Sequence, residues 1–331
     1  MSYVIGVDLG GTKTAAGVVD AAGKVLYREQ IPTLNRAGGE AILDATAALV
    51  ARLREQAAAD GVSISAVGMG SAGVIDADQG TVISATDAIL GWAGTGIRDG
   101  LERRLGLPVR VVNDVHAHAL AEAWLGAGAG TASTLMIAFG TGVGGSFVVG
   151  GQPLLGHHFV AGHLGHFASP YAYDDGLPVP CSCGGSGHVE AIASGPAIHR
   201  TFLRSGGQDT GHGADVADTR AVFVLAKSGD QAAIRAIGIG AGAAGQAVGG
   251  LINILDPEVV VIAGGLADAG DLWWKPMERA LRAELLGPLT DARVVRATLG
   301  NAAAVVGAAS LVLAPDPTGT QPVIHDTKEL A

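Results

Sequence analysis

Two glycine-rich hairpins constrain this chain more than any other feature. The first is IGVDLGGTKTAAGVVDAAG, residues 5–23, and the second is IAFGTGVGGSFVVGG, residues 137–151. Each reads as strand, glycine-rich turn, strand, glycine turn. The helices and strands after each copy also come in the same order. Any two glycine-rich hairpins share some likeness, but the shared order of the later elements points to an internal repeat of a βββαβα-like unit, one copy per half. With 331 residues and about 150 residues to a domain, roughly two domains are expected. The expected fold class is therefore α/β, with two domains about a central cleft.

Glycine accounts for 52 of the 331 residues, well above the usual ~7%. There is no G-X-Y period, so collagen is excluded. The glycines come as pairs after apolar runs, which suits turns where backbone approaches something closely. Charged residues make up 16% and the hydrophobic set 48%, a globular and not a disordered composition. The net charge of −10 argues against nucleic acid or an anionic membrane as partner. It leaves an anionic substrate open, because glycine loops and helix ends bind phosphate locally. The two cysteines, Cys181 and Cys183, are one residue apart, too close for an unstrained disulfide. A reducing cytoplasmic setting is expected. The N-terminus lacks the pattern of a signal peptide, and no uninterrupted apolar run suggests a membrane span.

Coarse element reading places strands at Val4–Val7, Thr14–Asp20, Ile64–Met69, Val109–Val112, Thr134–Ala138, Ser146–Val149 and Val259–Ala263. Helices are expected at Ala41–Ala58, from Asp114 through Trp124, and at Asp218–Ala226, Gln231–Ile254, Pro276–Leu286 and Asn301–Leu313. The domain boundaries come from these elements: a small N-terminal α/β domain over 1–116 with the helix of 301–313 packing back on it, a large domain over 117–300, and a flexible Pro-punctuated tail over 314–331.

Three glycine loops carry candidate chemistry. In DLGGTK, the backbone N–H groups of Gly10 and Gly11 can cradle a phosphate, Thr12 adds a hydroxyl and Asp8 can hold Mg²⁺ through water. Lys13 completes the motif. It is not a Walker loop, because the GxxxxGK[ST] spacing is absent and a strand comes next. A plain type I′ hairpin would read the same way. Gly140, Thr141, Gly142 and Gly144 of GTGVGG repeat the logic, so two facing loops would clamp a polyphosphate. Gly264 and Gly265 end the strand VVVIAGG, where a base or ribose can pack on backbone. Asn113 and Asp114 open a helix. They serve either as N-cap and first-turn acid or, for Asp114, as a general base toward a hydroxyl, with the helix end lowering its pKa and keeping it ionised.

A loop-rich stretch, residues 156–190, gathers His163, His166, Cys181, Cys183 and His188. Cys-x-Cys with a His five residues on and another upstream supplies four N/S ligands for a closed tetrahedral zinc site, structural and not hydrolytic. Free thiols with incidental histidines are the plainer alternative. His116 and His118, two apart on a helix, are read as surface or packing residues. His157 and His158 are read as solvated, Trp273-Trp274 as a packed corner, and Asp174-Asp175 as a turn.

In order and spacing, DLGGTK, the NDV opening of a helix, GTGVGG, GHxGH, CxCGxxG ending in VEAIASG, and LDPEVVVIAGG resemble the ROK family of bacterial sugar kinases and repressors, within the actin-like ATPase superfamily. The resemblance covers about residues 3 to 313. It implies two ribonuclease-H-like domains and phosphoryl transfer from MgATP to the 6-hydroxyl of a hexose. It makes Asp114 the catalytic base and Asn113 a ligand of a sugar hydroxyl. It places Gly73, Thr86 and Glu190 at sugar-contacting positions and gives His166 both zinc and sugar. A homodimer is also expected.

The sequence departs from the family pattern at two positions. His188 stands where the family has a third zinc cysteine. His163 stands where the family's GExGH has a glutamate that binds the sugar near its anomeric carbon. A carboxylate only accepts hydrogen bonds, whereas a neutral imidazole offers one donor and one acceptor. On this ground GHxGH with VEAIASG resembles bacterial N-acetylmannosamine kinases more than glucokinases, and the expected substrate is N-acetylmannosamine or another hexose. Glucokinase is the alternative. A sugar-sensing ROK repressor is the other class, but it carries a winged helix-turn-helix ahead of the first phosphate motif, and Asp8 is too near the start for that.

Overall fold

The computed structural model of the chain describes residues 2–207 and 216–313. The N-terminal half is built on β1 (Tyr3–Leu9), β2 (Lys13–Asp20), β3 (Val25–Pro32), α1 (Gly39–Ala59) and β4 (Ile64–Ser71). A small hairpin of β5 (Val74–Asp76) and β6 (Thr81–Ser84), then α2 (Ile97–Leu105) and β7 (Val109–Asn113), complete it. The strands form one five-stranded sheet in the order β3-β2-β1-β4-β7. The first three strands are antiparallel, and β4 and β7 continue in parallel with β1. Its strands read Val/Ile-rich because both faces are covered. One face buries Ile5, Val7, Val18 and Met69 against Leu49 and Leu53 of α1 and Leu101 of α2.

Helix α3 (Asp114–Trp124) leads to the second half. There β8 (Ser133–Phe139), β9 (Val143–Val149) and the short β10 (Gln152–Pro153) precede the loop that holds β11 (Tyr173–Asp174) and β12 (Leu177–Pro178). Helices α4 (Glu190–Ala193), α5 (Gly195–Phe202), α6 (Thr219–Lys227) and α7 (Gln231–Leu255) come next. The chain then runs through β13 (Val259–Ala263), α8 (Asp271–Glu284), β14 (Val294–Arg296) and α9 (Ala303–Ser310). The second sheet, β10-β9-β8-β13-β14, repeats the antiparallel-then-parallel plan. The α/β class and the duplicated unit expected from the hairpins are thus the observed architecture.

Helices α3 and α9 lie between the two sheets, and the glycines explain how closely. A Cβ on Gly6 of β1 or Gly68 of β4 would overlap the Val305 or Ala308 carbonyl oxygen of α9. One on Gly307 would overlap the Ala117 carbonyl of α3. Side chains at these three places would push the layers apart. Behind the second sheet, α7 packs along α8, with Gly249 so near that a Cβ would come within 2.7 Å of the Leu281 carbonyl oxygen. Among the described residues, α7 alone is long and apolar enough to cross a membrane, but most of that segment is buried.

Several elements differ from the sequence reading. α8 starts at Asp271, so Pro276 sits inside it. Trp273, Met277 and Leu281 recur on one face and are wholly buried, and this burial carries the helix through the proline. The closing helix is shorter than 301–313: a 3-10 turn at Gly300–Ala302 precedes α9, which stops at Ser310. Strand β9 begins at Val143, because Gly144 and Gly145 pair with Ala138 and Ile137 of β8. Helices α2, α4 and α5 have no counterpart in the sequence reading. The tail expected over 314–331 lies outside the described residues.

Candidate active site between the two halves

Strand β1 and helix α3 bring two carboxylates together. Asp8 lies near the end of β1, and Asp114 is the first residue of α3. Asn113 caps α3, its Oδ1 accepting from Val115 N at 2.9 Å, while its Nδ2 donates to the Gly73 carbonyl at 2.9 Å. The cap and a ligand role are therefore compatible in one side chain. The helix end alone predicts an Asp114 held below the usual carboxylate range. The opposite is found: burial first, then the charge of Asp8, push it up to about 6. His118 and the Val115 N–H act the other way but do not win. Burial also raises Asp8, against His118, Lys13 and Arg28.

The first glycine loop is closed by Gly10 N donating to Lys13 O at 3.0 Å. Thr33 and Asn35, absent from the sequence-based site, take its carbonyls. Thr33 Oγ1 donates to Gly10 O at 2.8 Å, Thr33 N to Thr12 O at 3.0 Å, and Asn35 Nδ2 to Gly11 O at 2.9 Å. With the carbonyls engaged and the Gly10 N–H taken by Lys13, the N–H groups of Gly11 and Thr12 and the Thr12 hydroxyl are the polar edge left to a ligand.

The second loop is tied at three points. Val143 N donates to Glu190 Oε2 at 2.8 Å, Gly195 N to Gly140 O at 2.8 Å, and Leu266 N to Phe139 O at 3.1 Å. A Cβ on Gly142 would stand 2.8 Å from Glu190 Oε2 and would have to displace that carboxylate. Gly264 adopts φ 86° against the Phe139 backbone. A Cβ on Gly140 or Gly265 would meet no atom within 4 Å, so both face open space.

A cavity of about 330 Å³ opens here. Asn113, Gly140, Thr141, Gly142, Gly144, His163, Glu190 and Gly264 line it, together with Val115 and Gly162. Eight of the expected site residues therefore share one space. Thr86 does not line it and lies on an exposed turn. Asp8, Gly10, Gly11, Thr12, Lys13, Gly73, Asp114, His166 and Gly265 also stand outside that lining, although Gly73 reaches it through Asn113.

The ligating atoms of His166, Cys181, Cys183 and His188 lie within 4.8 Å of one another. His166 Nδ1 is 3.6 Å from Cys181 Sγ, and His188 Nδ1 is 3.3 Å from Cys183 Sγ. Donors about 2.0–2.3 Å from a tetrahedral zinc sit roughly 3.3–3.8 Å apart, so this set fits such an ion. Cys181 N donates to Gly185 O at 2.8 Å, folding the knuckle. A Cβ on Gly185 would come 2.7 Å from His188 Cε1, which explains a glycine there. Ser182, between the cysteines, donates to Glu190 Oε1, so the knuckle and the second glycine loop share one carboxylate.

The profile of the ROK family matches residues 4–314. A glucokinase of Streptomyces coelicolor is 36% identical over 332 residues, covering 96% of this chain and 99% of its own length. An N-acetyl-D-glucosamine kinase of Salmonella paratyphi A is 30% identical, covering 93% and 98%. The crystal structure of a ROK family glucokinase from Streptomyces griseus in complex with glucose and AMPPNP superimposes with TM-score 0.77 at 34% identity, covering 94% of this chain and 99% of that one. With the profile spanning nearly the whole chain and relatives matched along their full length, the chain belongs to the ROK family.

Proposed function

We propose that this chain transfers the γ-phosphoryl group of MgATP to the 6-hydroxyl of a hexose, with Asp114 as general base. The observation that carries the reading is Asp114 itself. It is a carboxylate at the start of α3, with a pKa raised to about 6 by burial and by Asp8, the acid ahead of the first glycine loop, and it directly precedes Val115, which lines the cavity with the second glycine loop. A base works best when its pKa lies near the operating pH, and phosphoryl transfer otherwise asks mainly for positioning and charge neutralisation. As the sugar oxygen bonds to the γ-phosphorus, Asp114 takes the hydroxyl proton and ADP leaves with the electrons of the broken P–O bond. Asp8, Gly10, Gly11, Thr12 and Lys13 hold one side of the phosphates, and Gly140, Thr141, Gly142 and Gly144 the other. Gly264 and Gly265 take the adenosine. Asp8 would hold the Mg²⁺ of MgATP through water, and that ion would supply charge neutralisation to the phosphates. Asn113, Gly73, Thr86, His163, His166 and Glu190 bind the sugar. His166, Cys181, Cys183 and His188 would hold a zinc ion, which would supply a structural tie for the knuckle that presents His166 and Glu190.

Glucose is the sugar supported by the glucokinase relatives at 34–36% identity. A second reading, N-acetylmannosamine, rests on His163 at the sugar edge, because an acetamido group offers both a donor and an acceptor to an imidazole. The test is ADP release with MgATP and glucose, mannose, N-acetylglucosamine or N-acetylmannosamine. Turnover of none of them sinks the kinase reading, and the ranking of kcat/KM decides between the sugars.

A further inference from the structure

His116 lies two residues beyond Asp114, on another side of α3, and nothing in the phosphoryl transfer uses it. It is 3% exposed. Its Nδ1 stands 2.8 Å from Ser146 Oγ of β9, a side chain with no exposure at all. The Ala161 backbone lies close enough to the ring to favour its charged form. A neutral imidazole has one donor and one acceptor, and one of the two is taken by Ser146. Burial and the neighbouring His163 push the ring's pKa down to about 4, consistent with that neutral form.

The segment His116 touches is the one that carries His163. Gly162, at φ 93°, accepts from Gly145 N at 2.8 Å and from Leu164 N at 2.7 Å. A Cβ on Gly162 would overlap the Gly145 carbonyl oxygen and reach 3.1 Å from His116 Cε1. The loop thus rests on β9 along one edge and on the imidazole along the other. His163 comes directly after, its Nδ1 3.0 Å from the Val160 carbonyl oxygen, and both Gly162 and His163 line the cavity.

We propose that His116 is a positioning residue for the sugar subsite: it clamps residues 161–163 onto β9 and so sets where His163 meets the substrate. The inference rests on the kinase reading above. It places sugar selectivity partly on a residue that the sugar never touches. A loop that shifts by a fraction of an ångström loses hydrogen bonds to its ligand while the phosphate loops stay in place.

The test uses His116→Asn, which keeps an amide near the Nδ1 position for Ser146 but removes the half of the ring that reaches Ala161 and Gly162. The expected result is a KM for glucose raised about tenfold with the KM for ATP within about twofold of wild type. In a His163→Ala background the same substitution is expected to leave the glucose KM unchanged, because the clamp acts through His163. An unchanged glucose KM in His116→Asn, an equal rise in the ATP KM, or a full-sized effect without His163 overturns the proposal. Hydrogen exchange at the Gly145 and Leu164 amides, both bonded to Gly162, needs no turnover. Exchange about tenfold faster in His116→Asn is expected, and unchanged exchange refutes the clamp. A wild type that phosphorylates no sugar would refute the kinase reading instead, while the exchange result still decides whether His116 holds the loop.

Discussion

Asp114 gives the sharpest test of the mechanism. Below its pKa the carboxyl carries its own proton and cannot accept another, so activity must fall as pH drops through about 6. For a single group of pKa about 6, roughly nine-tenths is ionised at pH 7 and about one-tenth at pH 5, so kcat/KM should fall about tenfold across that interval. Because kcat/KM reports the free enzyme, its acidic limb carries the repulsion from Asp8. The limb of kcat at saturating MgATP should lie lower, since Mg²⁺ near Asp8 offsets that charge. Asp114→Asn keeps the shape at the helix start but removes the base. It should cost about 10²–10⁴-fold in kcat and abolish the acidic limb of the residual rate. A coupled ADP assay from pH 5 to 8, with circular dichroism to verify folding, provides the measurement. A flat kcat/KM profile down to pH 5, or a variant that keeps more than about a tenth of the rate, would refute the reasoning.

Elemental analysis of chelator-free protein should give one zinc per chain, and Cys183→Ser should lose it together with a measurable drop in melting temperature. His163→Glu should move kcat/KM toward glucose and away from N-acetylmannosamine by at least about tenfold, because a carboxylate cannot donate to the acetamido carbonyl; an unchanged ratio removes His163 from the sugar edge. Gly307→Val should destabilise the fold by more than about 2 kcal/mol, read by denaturant melts, because its side chain must displace the Ala117 carbonyl of α3. A wild-type melt for that variant would show that α3 and α9 are less tightly apposed.

What the sequence disclosed, it disclosed in contiguous pieces. Both glycine loops, the NDV helix start and the His/Cys knuckle are short words whose chemistry lies in their own spacing. Helix α7 and the Val/Ile strands are legible because burial imposes a period on them. Helix α2 is hidden although Ile97, Leu101 and Leu105 mark its buried face, because Gly96, Gly100 and Gly106 make the segment read as turn. Helix α5 is hidden the same way by Ser194, Gly195 and Pro196, which are its cap and first turn. The partners of the site are not legible at all. Thr33 and Asn35 meet the first loop only once β3 folds beside β2, and Ser182 meets Glu190 only once the knuckle closes. The direction of the Asp114 shift escapes the sequence for a related reason. The helix end is visible there, while the burial that dominates the shift, and the second carboxylate from β1, arrive only with the fold.

The seating of α9 has a consequence for how the protein is made. Val4, Ala15, Val19 and Ala66 on one face of the N-terminal sheet are covered by Val305 and Ala309, residues near the far end of the described chain. During synthesis that face stays bare until Val305 and Ala309 have left the ribosome, so the first half cannot complete its layers before the second exists. Until then the nascent chain carries an exposed apolar sheet, the kind of surface that recruits chaperones or aggregates. A product terminated at residue 300 should behave as that stalled intermediate does, binding a hydrophobic dye and appearing in the insoluble fraction, whereas one extended through residue 313 should not.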